Sequence, residues 1–150
     1  MKIYRAEVKY SVVEEGPVEA LSTPEAAYRY MKSAFDERPL QESFWVVLLT
    51  RKNKPIARYM VSLGTLDSAP VACREVFRLA IMVAASSVLC AHNHPSGSVL
   101  PSSADITITK QLVEAGKLLG LHVMDHIICG DAAENSDGKA WYSFREAGLI

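Results

Sequence analysis

Apolar residues in this chain change their spacing several times, and each change marks an element. Residues 2–13 alternate loosely, with Ile3, Ala6, Val8, Tyr10 and Val12 apolar, which predicts a strand able to serve as a sheet edge. Thr23-Pro24-Glu25 reads as a helix start, with Thr23 as N-cap and Pro24 in the first helical position. That helix should reach about Phe35 and bury Ala27, Tyr30, Met31 and Ala34. Residues 44–49 are continuously apolar and short, as a strand covered on both faces should be. Arg51-Lys52-Asn53-Lys54-Pro55 turns the chain into a second strand at about 56–63, which Gly64 ends. Over 70–85, Val76, Leu79, Ala80, Val83 and Ala84 recur at helical spacing, while Arg74, Glu75 and Arg78 group on another face. Residues 87–91 read as a short buried strand and 121–129 as another. Between them lies a helix over 103–119, with Ile108, Leu112, Ala115 and Leu119 along one side and Gly120 as its stop. A turn-rich excursion then leads to a last short strand at about 140–144.

Strands interleaved with helices predict an α/β sandwich, its sheet mixed because short hairpin links coexist with helical crossovers. At 150 residues the chain fits one domain, 1–150, with residues 1–20 as a strand-like N-terminal extension. A net charge of -1 gives no electrostatic footprint for nucleic acid or anionic lipid, so nucleic acid is a weakly supported partner. The N-terminus lacks a signal-peptide pattern, and no run approaches the roughly 20 apolar residues of a membrane span. Cys73, Cys90 and Cys129 are odd in number, far apart and set in apolar context, as buried thiols of a reducing compartment are. The expected location is cytoplasmic, away from membranes. A homo-oligomer stays open, since a strand-like N-terminus could add to a neighbour's sheet edge.

The chemistry concentrates in residues 92–105, His92-Asn93-His94-Pro95-Ser96-Gly97-Ser98-Val99-Leu100-Pro101-Ser102-Ser103-Ala104-Asp105. Strand side chains alternate, so His92 and His94 project to one side with Cα atoms about 6.6 Å apart. Pro95 and Gly97 turn the chain and bring Asp105 back over the strand end. Two imidazoles and a carboxylate leave one position of a tetrahedral metal open, the arrangement of catalytic zinc. Ser102-x-x-Asp105 has a second explanation, a capping box with Asp in place of Glu, and the two readings compete for the same atoms. Spacing alone favours the cap for Ser102. Likewise it does not choose among Glu37, Glu42 and Glu75 as a base. Asp125 and His126 point to opposite faces of a strand, so they make a poor dyad, and His126 and His122 read as structural or supporting residues. Arg74 and Glu75 are either a solvated helix face or supports for a ligand.

His92-x-His94-Pro95, followed by Ser102-x-x-Asp105, resembles the JAMM (MPN/JAB) metallopeptidase motif. The longer pattern resembles the bacterial RadC family. It includes His92 to Gly97, Pro101-Ser102, Asp105-Ile106, Thr109, Leu119-Gly120 and Asp125-His126-Ile127-Ile128. Upstream, Gln41-Glu42-x-Phe44, Gly64-Thr65-Leu66-Asp67, Val71 and Arg74-Glu75-Val76-Phe77 match it, as does Ser143-Phe144-x-x-x-Gly148-Leu149 downstream. The resemblance covers about residues 20–150. It implies a cytidine-deaminase-like α/β sandwich with one zinc per chain, held by His92, His94 and Asp105 with water as fourth ligand. It further implies Ser102 as the group that orients that water or stabilises an oxyanion, and Glu42 as the base that activates it.

The activity so implied is zinc-dependent hydrolysis of peptide or isopeptide bonds in a peptide or protein substrate. An alternative is a binding module for protein or DNA, repair-associated, with zinc structural or catalysis vestigial. Full-length RadC proteins carry a helix-hairpin-helix region, whereas about 20 strand-like residues stand in its place here. Cys73 replaces the family's usual proline, and Ser98-Val99-Leu100 replaces a more acidic turn. Zinc nucleoside deaminases need Pro-Cys-x-x-Cys, which is absent.

Overall fold

The computed structural model describes residues 1–13, 15–68 and 70–150. In chain order it forms α1 (Pro24–Asp36), β1 (Ser43–Leu49), β2 (Pro55–Leu63), α2 (Cys73–Met82), β3 (Ser87–Asn93), α3 (Ser103–Leu119), β4 (His122–Cys129) and β5 (Trp141–Ser143), with a 3₁₀ turn at Ala132–Glu134 before β5. The sheet has strand order β2-β1-β3-β4-β5. β3 and β4 run parallel across the α3 crossover, and every other neighbouring pair is antiparallel. The expected mixed sheet, with its hairpin links and helical crossover, is therefore present.

Alternation along the central strands divides the core in two. Phe44, Val46 and Leu48 of β1 and Val88 and Cys90 of β3 pack with Val76, Phe77, Ala80, Ile108 and Leu112 of α2 and α3. Val47, Leu49, Leu89 and Ala91 face the other way, against Ala27, Met31, Ala34 and Phe35 of α1. Each large apolar side chain wholly buried in these cores contributes about 2 kcal/mol. Thr23 caps α1 by accepting from the Ala26 amide at 3.2 Å, and Pro24 fills the first turn. Among the described residues no helix is long and apolar enough to cross a membrane.

Two expectations need correction. Residues 2–13 form no strand; Ile3 is 90% and Tyr10 61% exposed. Alternation is stabilised only by a partner ladder and a face to bury, and this segment obtains neither. Residues 8–13 instead lie beside β2, lining with Ile56, Ala57, Tyr59 and Leu79 a cavity of about 480 Å³. Helix α2 is three residues shorter at each end than its apolar stripe suggests. Ala72 is still extended, and Ala84 adopts φ 52°, so the stripe continues past the helix into the turns that flank it.

One irregularity decides a residue's direction. β3 and β4 pair Val88 with Val123 but Leu89 with Asp125, so Met124 is an extra residue in β4. Strict alternation from Val123 would aim His126 toward α1. Beyond the bulge His126 pairs with Cys90 and so faces α3.

Candidate metal centre

β3 ends with His92 and Asn93, and His94 follows where the strand stops. His92 is wholly buried behind Phe44, its partner on β1, with the two rings stacked at 6.0 Å. The turn after His94 is built tightly. Gly97 takes φ 85°, its amide donates to the His94 carbonyl at 2.9 Å, and its own carbonyl accepts from the Asp131 amide at 2.8 Å. Gly130 lies so close that a Cβ there would stand 2.1 Å from the Gly97 oxygen, so no larger residue fits without moving the turn. The Asn135 side chain completes the clamp: its Nδ2 donates to the Gly97 carbonyl at 3.1 Å and its Oδ1 accepts from the Val99 amide at 3.0 Å.

Asp105 enters from the first turn of α3. The capping box is fully formed: Ser102 Oγ accepts from the Asp105 amide at 3.1 Å, and Asp105 Oδ2 accepts from the Ser102 amide at 2.7 Å. The cap leaves room for a ligand role, because the carboxylate divides its oxygens. Oδ1 is buried and, among the described residues, has no hydrogen bond. It lies 3.1 Å from His92 Nε2, while Oδ2 lies 3.4 Å from His94 Nε2 and the two Nε2 atoms are 3.1 Å apart. His94 Nδ1 donates to the Ser98 carbonyl at 2.8 Å, which directs the Nε2 lone pair into this cluster. Lone pairs converging around an orphaned, buried carboxylate oxygen fit a cation. The all-nitrogen-and-oxygen donor set suits zinc.

Electrostatics agree. Burial would push the Asp105 carboxyl up, but His92, His94 and the Ser102 amide outweigh it and hold the group well below the usual carboxylate range. Burial would pull His94 down, but Asp105, the Ser98 carbonyl and Glu42 prevail and raise it. A raised His94 means that an incoming ion competes with a proton for Nε2. Zinc affinity should fall as pH drops through the raised His94 value, by about tenfold per unit, beginning at a higher pH than an unperturbed imidazole would give. Calorimetric titration in buffers of different ionisation enthalpy should show net proton release; binding indifferent to pH would contradict the assignment.

Glu42 precedes β1 and joins the cluster. Ligand-type atoms of Glu42, His92, His94 and Asp105 all lie within 4.8 Å of one another. Burial is the largest influence on Glu42 and raises its carboxyl, with the two histidines pulling the other way. Its position is set by a residue that pattern reading passed over. Asn93, between the two histidines, points to the opposite side of the strand. Its Oδ1 accepts from the Ser43 amide at 2.8 Å and from Ser43 Oγ at 3.1 Å, and its Nδ2 donates to the Gln41 carbonyl at 3.0 Å. Both peptide neighbours of Glu42 are thus tied to the ligand strand, and the Glu42 carbonyl accepts from the Gly64 amide at 2.7 Å. Alternation alone assigns Asn93 only to a face, because its partners lie some fifty residues away.

Ser102 is exposed at the helix start, with its oxygen engaged in the cap. His126 is wholly buried beside His92, 2.8 Å from Nε2 to Nδ1. Asp125 turns away and accepts from Ser143 Oγ, the Arg145 amide and the His126 amide at the β4–β5 junction. His122 is exposed, away from the cluster. Arg74, Glu75 and Arg78 pair with one another on a solvated face of α2.

A model of the RadC-like JAB domain matches residues 21–149. Among curated proteins, a UPF0758 protein of Desulforamulus reducens is 50% identical over 110 residues, covering 73% of this chain and 45% of its own length. A UPF0758 protein of Bacillus cereus is 46% identical over 113 residues, 75% of this chain and 49% of the relative. One from Methanosarcina mazei is 43% identical over 117 residues, 78% of this chain and 51% of the relative. The chain spans about half the length of the curated relatives it matches.

Proposed function

The chain belongs to the RadC-like JAB domain family, and on that premise we propose that it is a zinc-dependent hydrolase of peptide or isopeptide bonds. The observation that carries the reading is the buried Asp105 carboxylate, one of its oxygens orphaned, facing two imidazole nitrogens, with a second carboxylate, Glu42, within 4.8 Å of all three. Zinc bound there by His92, His94 and Asp105 would polarise a substrate carbonyl and bring the pKa of a bound water to about 7.

The remaining work falls to the chain's own groups. Glu42, whose carboxyl burial raises, accepts the proton of the attacking water and delivers it to the leaving nitrogen. Ser102 gives a lone pair to the helix cap, so its hydroxyl proton remains available to the carbonyl oxygen as negative charge develops there. A hollow of about 310 Å³ borders the cluster at His94, past Tyr28, Phe35 and Cys129. An open hollow at His94 suits a peptide or protein substrate. A module that only binds a partner has no use for a raised carboxyl beside an incomplete ligand set.

The test is a chelated sample divided in two, one half reloaded with zinc, and both incubated with peptide and isopeptide libraries read by mass spectrometry. Cleavage restored by about one zinc per chain is expected. Stoichiometric zinc with no cleavage of either bond type would overturn the hydrolase reading.

A further inference from the structure

Beyond the three ligands and the base, a buried polar chain runs from α3 back to His92. Thr109 Oγ1 lies 2.7 Å from the Asp105 carbonyl oxygen and 2.6 Å from His126 Nδ1. His126 Nε2 lies 2.8 Å from His92 Nδ1. Each of these three contacts needs one proton between its atoms, and counting protons fixes the direction of all three. The carbonyl can only accept, so the single Thr109 proton is spent on it. The Thr109–His126 contact must then be supplied by Nδ1–H of His126.

His126 is wholly buried, stacked on Phe144 at 4.7 Å and tilted against Phe44 at 5.2 Å. Among the described residues its ring hydrogen-bonds only Thr109 and His92, so no carboxylate contacts it to offset a positive charge. A neutral ring protonated at Nδ1 presents a lone pair at Nε2. That lone pair accepts from His92 Nδ1–H. His92 is thereby left with its own lone pair at Nε2, the atom 3.1 Å from Asp105 Oδ1.

We propose that Thr109 and His126 are positioning residues for the metal centre: they impose on His92 the tautomer that can ligate. This deepens the reading of a zinc site and rests on it. The device is economical in its origin, because the carbonyl that starts the chain belongs to Asp105, itself a ligand. One turn of α3 therefore supplies a carboxylate to the ion and also orients an imidazole on the neighbouring strand. A metal-bound imidazole ordinarily donates its other nitrogen to a carboxylate, carbonyl or water. Here another histidine takes that place, and its own state is set one residue further on.

Thr109→Val is the direct test, since it keeps the shape and removes only the hydroxyl. Freed of its acceptor, His126 should move its proton to Nε2, and His92 should in turn carry its proton at Nε2, in the metal position. Long-range proton–nitrogen NMR on the metal-free protein at about pH 9, where imidazoles are neutral, should place the His92 proton on Nδ1 in the wild type and in Thr109→Ser, and on Nε2 in Thr109→Val. Zinc affinity, measured by competition with a chromophoric chelator, should drop about 10- to 100-fold in Thr109→Val, the range for loss of such supporting partners, and recover in Thr109→Ser. A His92 proton that stays on Nδ1 in Thr109→Val, with zinc affinity within about twofold of wild type, would overturn the proposal. A wild-type protein with His92 protonated at Nδ1 but no affinity for zinc would instead sink the metal reading and leave the tautomer relay supported.

Discussion

Glu42→Gln should leave zinc binding intact and lower turnover by about 10²- to 10⁴-fold, the usual contribution of a positioned base. The exchange keeps the size of the side chain and removes its ability to take a proton. Glu42 is half-buried rather than part of the core, so the variant should fold. The backbone on either side is held through Asn93 and Gly64, not through the Glu42 side chain, so the amide should occupy the position of the carboxylate. The measurement is kcat on whichever peptide or isopeptide the library identifies, together with zinc content. Unchanged kcat with full zinc would remove Glu42 from the base role. Loss of zinc along with activity would show that it serves as a ligand instead.

Asp105→Asn should have the larger effect on the metal itself. An asparagine oxygen can still accept from the Ser102 amide, so the α3 cap survives and the roughly 1 kcal/mol that such a cap is worth is largely kept. What disappears is the negative charge at the buried, unpartnered oxygen. Zinc affinity should fall by at least about 100-fold, beyond what loss of an outer partner produces. Chelator competition measures the affinity and thermal melting the fold. Apo variant and apo wild type should melt within a few degrees of each other, while the stabilisation that excess zinc gives the wild type should vanish. Wild-type zinc affinity in Asp105→Asn would exclude the carboxylate as a ligand.

The candidate metal cluster is legible in part because it is local: one strand end, one turn and one helix start hold His92, His94 and Asp105, and spacing reports short-range geometry well. Glu42 was not legible that way. Its proximity depends on the β1–β3 pairing that sets Phe44 beside His92, a long-range fact that only the family resemblance anticipated. At Asp105 the cap and a ligand role are compatible, because one carboxylate oxygen serves the cap and the other is unpartnered. Elements with a buried stripe, such as α1 and α3, fell where their periodicity put them. The N-terminal alternation did not become a strand, because a period of two records only a capacity to pair. His126 was readable as a supporting residue but not its direction, since counting from Val123 gives the wrong face. Thr109 was visible only as part of the family pattern, without a role.

The extra residue at Met124 bears on how this chain should be compared with others. Removing it would restore plain alternation, with Asp125 opposite Leu89 and His126 opposite Cys90 as they are now. A relative one residue shorter at this point therefore needs no change in its centre, and a gap placed there in an alignment costs nothing in geometry. A gap three or four positions later, between His126 and Cys129, would leave the motif letters nearly intact while turning the following residues onto the wrong layers. In β4, where an insertion falls matters more than how many residues agree.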